Sequence, residues 1–109
     1  MEPVSPGLSE ALDRLWARFS PEIRERVSVL ERAAAALAAG SLSRAERDSA
    51  YAIAHKLAGV LGTFNLARGT ELARQLESVY GREEGPDPAS APHLAAMAAK
   101  LRALVESRK

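Results

Sequence analysis

Apolar residues recur at three- and four-residue intervals over most of this 109-residue chain, the spacing that gathers them on one face of a helix. Before that pattern starts, Pro3, Pro6 and Gly7 predict an extended lead-in over residues 1–8. A short amphipathic helix follows, with Leu8, Leu12, Leu15, Trp16 and Phe19 on one side. This stripe reads as core, although a short leading helix could also dock a neighbour. Ser20-Pro21 reads as a new helix start, because proline fits the first turn, where no amide hydrogen is needed. From there Ile23, Val27, Leu30, Ala34 and Leu37 keep helical spacing as far as Gly40.

Ser43 and Glu46 stand three residues apart as a capping box and predict a third helix from Arg44 through His55 to about Thr63. The stretch Gly62-Thr63-Phe64-Asn65 breaks the pattern, and Asn65 serves either as a left-handed cap or as the N-cap of the next helix. A fourth helix carries Leu66, Leu72, Leu76 and Val79 inward and ends near Gly81. Residues 81–92, GREEGPDPASAP, predict a loop, and a fifth helix with Leu94, Met97, Leu101, Leu104 and Val105 on one stripe closes the chain. The expected fold is all-α: an antiparallel four-helix bundle with an additional short N-terminal helix, forming one domain over residues 1–109.

Composition agrees with helices, since alanine and leucine dominate and the aromatics are two Phe, two Tyr and one Trp. The 15 Lys and Arg are interspersed with 14 Asp and Glu, so no basic stripe offers itself to nucleic acid. The absence of cysteine excludes disulfides, zinc–thiolate sites and thiol nucleophiles, and two well-separated histidines make a poor metal site. Neither a metal nor a cofactor is expected. With Glu2 near the N-terminus, no signal-peptide core and no segment approaching a membrane span, the expectation is a cytoplasmic protein with no membrane partner. No Ser, His and carboxylate constellation and no GxxxxGK loop appears, which argues against an autonomous hydrolase or a nucleotide-using kinase.

Chemistry then turns on His55. At about 100° per residue the third helix buries Ala50, Ile53, Ala54, Leu57, Leu61 and Phe64, and His55 lies roughly 150° from the centre of that stripe. Its neighbours on the solvent side are Asp48, Ala52, Gly59 and Gly62, which leave the surface bare. A glycine inside a helix costs roughly 0.5–1 kcal/mol relative to alanine, so it needs a reason. Gly62 either starts the helix end or admits another molecule; Gly59, in mid-helix, points to close approach. On the residues alone, an exposed helical histidine is an ordinary surface group, and His93, at the start of the fifth helix, reads as one.

The stretch from His55 to Glu77, HKLAGVLGTFNLARGTELARQLE, resembles the histidine-containing phosphotransfer (HPt) family. The family pattern has Leu at +2 from the histidine, Lys at +3 and Gly at +4, then a break and a second helix closing on a Leu-Glu or similar pair. Here His55, Leu57 and Gly59 fall in register, Asn65 stands where the family often has Gly, and Leu76-Glu77 closes the motif. The resemblance implies a bundle whose exposed His55 exchanges a phosphoryl group with the aspartate of a response-regulator receiver domain, alone or in a hybrid histidine kinase. It implies that Glu77 orients the ring and that Ala52, Gly59 and Gly62 leave room for the partner. It implies no bound nucleotide, and the protein is expected to act as a monomer. One departure stands out: the family lysine is Ala58, which leaves Lys56 or Arg74 to lie near the phosphate. The alternative function is a helical protein-interaction module that works without phosphorylation.

Overall fold

The computed structural model describes residues 6–108. They form four helices, α1 (Pro6–Ala38), α2 (Arg44–Thr63), α3 (Ala67–Tyr80) and α4 (Ala91–Ser107), with a 3₁₀ turn at Pro88–Ser90 leading into α4. Short connections make each helix antiparallel to the one before it. Contacts α1–α2, α2–α3, α3–α4 and α4–α1 close a four-helix bundle of 48 × 26 × 20 Å. Its 33-residue α1 runs the whole length, at about 1.5 Å per residue. The all-α bundle is as expected from the sequence.

The separate N-terminal helix is not. The segment is helical, but α1 is unbroken through Ser20-Pro21 and already begins at Pro6, so residues 6–8 are helix; the rest of the expected lead-in lies outside the described residues. Phase explains it. Trp16, Ser20, Ile23, Val27, Leu30, Ala34 and Leu37 form one buried stripe that passes the proline without a shift, and a break there would swing Trp16 out of the core. Pro21 costs α1 the hydrogen bond to the Ala17 carbonyl, yet both residues are exposed, so the ring and the freed carbonyl face water. The same phase turns Leu15 and Phe19 outward, where the sequence reading had them in the core.

Helix ends follow local chemistry. Ser43 Oγ accepts from the Glu46 amide at 3.1 Å and Glu46 Oε1 accepts from the Ser43 amide at 2.9 Å, completing the expected capping box. The hydrogen bonds from the Ser43 backbone and side chain hold the Glu46 carboxyl below its usual range. Asn65 takes the left-handed conformation, φ 62°, and α2 ends with Leu66 N–H on the Leu61 carbonyl at 2.9 Å and Asn65 N–H on the Gly62 carbonyl at 3.1 Å. Of its two possible roles, Asn65 is therefore the left-handed cap. The loop after α3 is shorter than expected, because Asp87 caps the 3₁₀ turn and α4 starts at Ala91.

Side-chain contacts at both ends tie α1 to the rest. Trp16 meets Phe64 edge-on, with ring centroids 5.1 Å apart, and the Arg108 guanidinium lies over both rings. Further along, Arg102 of α4 forks onto Glu31, at 2.6 and 3.3 Å, and donates to Ser28 Oγ at 2.8 Å.

Candidate functional site

The α2–α3 pair builds the site. Only residues 64–66 separate the two helices, so they return alongside each other in a register that two side-chain bonds make visible. Thr70 Oγ1 donates to the Ala58 carbonyl at 3.1 Å, and two turns on, Glu77 meets His55. Thr70 and Glu77 are seven residues apart, which puts both on the α2-facing flank of α3.

His55 is 71% exposed at its side chain, and its Nδ1–H donates to Glu77 Oε2 at 2.8 Å, whereas Glu77 is 22% exposed. The carboxylate only accepts, so in the neutral ring it selects the tautomer with the proton on Nδ1 and the lone pair on Nε2. Nε2 has no partner among the described residues. A half-buried carboxylate thus engages one ring nitrogen while the opposite one is left exposed, an arrangement that suits a nucleophile.

Around the ring the surface is low. Ala52 and Gly59 are exposed, and a Cβ on Gly59 would meet nothing within 4 Å. Gly62 is also exposed but turns toward α3, where its Cβ would lie 3.6 Å from Thr70 Oγ1. Ala58 is buried against α3, which draws the buried stripe of α2 toward that helix and leaves Ile53 half-buried. Lys56 and Arg74 are exposed and make no hydrogen bond or ion pair with any described residue. Arg74 shares a helix with Glu77, one turn away; Lys56 lies about 100° around α2 from His55, on the side of α1.

Two features escaped the sequence reading. Tyr51, one turn before His55, lays its ring over Gly81, where a Cβ would come within 2.6 Å of it. Its four-residue spacing from His55 was the available signal. The second is a groove of about 250 Å³ between α1 and α2, lined by Leu15, Phe19, Ile23, Val60, Thr63 and Phe64 and rimmed by Glu22 and Arg26. Leu15 and Phe19 are 41% and 40% exposed. Carrying the Trp16–Leu37 phase back through Pro21 would have placed them outside the core.

The Hpt domain family model matches residues 14–107, which takes in most of α1 and all of α2, α3 and α4. The chain belongs to the Hpt family. Beyond the His55–Glu77 motif, this extends the likeness to both outer helices. The chain is also 35% identical over 81 residues to Protein RcaC of Microchaete diplosiphon. That alignment covers 74% of this chain and 12% of RcaC, so the chain corresponds to a small part of its relative. No solved structure gives a match. Hpt domains are the histidine-phosphotransfer modules of phosphorelays and work with receiver and kinase partners. Among the described residues of this Hpt domain, no group of His, Asp or Glu is arranged to hold a metal ion, and no helix is long and apolar enough to cross a membrane.

Proposed function

We propose that His55 carries a phosphoryl group to and from the aspartate of a receiver domain, either a separate response regulator or part of a hybrid kinase. One observation carries this reading: the 2.8 Å bond between Nδ1 and Glu77, which in the neutral ring puts the lone pair on the exposed Nε2. In the loading step the Nε2 lone pair attacks phosphorus, the N–P bond forms, and the P–O bond to the receiver aspartate breaks to release a carboxylate. The ring gains positive charge as the bond forms, and the Glu77 carboxylate offsets it. Transfer onward reverses each event. Neither direction needs a proton removed from Nε2.

In-line transfer requires the donor and its surrounding loops to come close to the ring, and Ala52 and Gly59 keep that approach low. The receiver docks over the outer face of α2 and reaches the apolar groove at Leu15 and Phe19. A pure interaction module could use the groove but would have no use for the Glu77–His55 bond. In this reading the protein acts as a monomer in the cytoplasm, where kinases draw on ATP. Incubation with a radiolabelled phospho-receiver tests it: wild type acquires acid-labile, alkali-stable label and His55→Gln acquires none. Label of equal yield on both proteins, or on neither, would sink the proposal.

A further inference from the structure

Phosphorylation would place about two negative charges on a ring that already touches the Glu77 carboxylate, with Asp48 exposed on the same side of α2. The site needs a cation that is not already engaged. We infer that Arg74 is that cation, gripping the phosphoryl oxygens of phospho-His55; the inference rests on the phosphotransfer reading above.

Position supports it first. Arg74 is three residues before Glu77 and four after Thr70, and these two bracket it by contacting His55 and the Ala58 carbonyl of α2. Arg74 therefore lies on the flank of α3 beside α2, about 4.5 Å along the axis from Glu77 and level with the turn that carries Ala58 and Gly59. That turn presents no obstacle, since Ala58 is buried and Gly59 has open space where a Cβ would be. A long side chain can cross it to reach the ring.

Availability supports it second. Arg74 makes no bond with any described residue, and the acidic side chain one turn before it, Glu71, is held by Arg68 at 3.2 Å. Its planar fork can give two parallel N–H bonds to two phosphoryl oxygens. Lys56, the other unengaged cation near His55, lies on the opposite flank, toward α1.

The equilibrium between phospho-receiver and phospho-His55 reads this role separately from docking, because weaker docking slows transfer without changing its end point. With excess unlabelled receiver removed and the reaction run to equilibrium, Arg74→Ala and Arg74→Gln should lower the loading constant of His55 about three- to tenfold, as expected for losing a charged hydrogen bond at an exposed site. Arg74→Lys should recover part of it. Equal loading of wild type and Arg74→Ala would overturn the inference, as would a loss seen in Lys56→Ala and not in Arg74→Ala. If wild type itself takes no label from the receiver or from phosphoramidate, the phosphotransfer reading fails and this one falls with it. Circular dichroism of each variant separates these outcomes from unfolding.

Discussion

Gly59→Ala should make the protein more stable and a larger residue at the same place should make it a poorer partner. Gly59 sits inside α2, four residues before its end, and a Cβ there has nothing within 4 Å to meet. No clash opposes the gain from restricting the backbone, so alanine should stabilise the fold by roughly 0.5–1 kcal/mol. For a domain of this size that raises Tm by about 2–6 °C, measurable by calorimetry or circular dichroism. Gly59→Leu keeps the helix-forming gain but builds bulk next to His55, over the turn the receiver must approach. It should raise Tm as alanine does, yet slow label transfer from a phospho-receiver by about tenfold or more, the effect of displacing reacting groups by an ångström or so. Phosphorylation of His55 by phosphoramidate, a small donor, should be much less affected. A lower Tm for Gly59→Ala would show that the surface is not open. Transfer at wild-type rate in a stable Gly59→Leu would show that no partner comes close there.

Other perturbations separate the fold from the chemistry. Glu77→Ala should release the tautomer of His55, visible in ring ¹⁵N shifts, and slow transfer roughly tenfold, on the scale of one charge-assisted hydrogen bond; unchanged shifts would remove its orienting role. Pro21→Ala should restore the hydrogen bond to the Ala17 carbonyl in a helix that is already continuous and raise stability by up to roughly 3 kcal/mol in urea titrations, whereas a loss would mean the ring itself is used. Tyr80 is buried with no partner for its hydroxyl, and burial pushes its pKa up to about 12. The unfolded chain gives up this proton near pH 10, before the folded one does, so Tyr80 destabilises the fold as pH rises from 10 toward 12 by at most about 1.4 kcal/mol per unit. Tyr80→Phe should match wild type or exceed it at neutral pH and should lose that part of the alkaline decline.

Much of this structure could be read from short-range chemistry. The capping box at Ser43 and Glu46 and the stop at Asn65 depend on residues a few positions apart, and both ends of α2 fell where the sequence put them. The exposure of His55 followed from periodicity alone. What could not be read depended on how helices lie against one another. Pro21 carried a local start signal, but burial of Trp16 and Ile23 on one stripe outweighed it and kept α1 whole. That continuity in turn exposed Leu15 and Phe19 and created the groove beside Val60. Ala58 came out buried because α3 approaches α2 from that side, a direction the pattern of α2 does not encode. The Glu77 contact spans 22 residues and was anticipated through resemblance to the HPt family.

The most direct test of the account is the ring of His55 itself, observed by long-range ¹H–¹⁵N NMR before and after phosphorylation with phosphoramidate. The geometry predicts that the free protein holds its proton on Nδ1 against Glu77, and that the phosphoryl group then appears on Nε2 with Nδ1 still protonated. A phosphoryl group on Nδ1, or a phosphorylated protein whose His55 ring is unchanged, would contradict it.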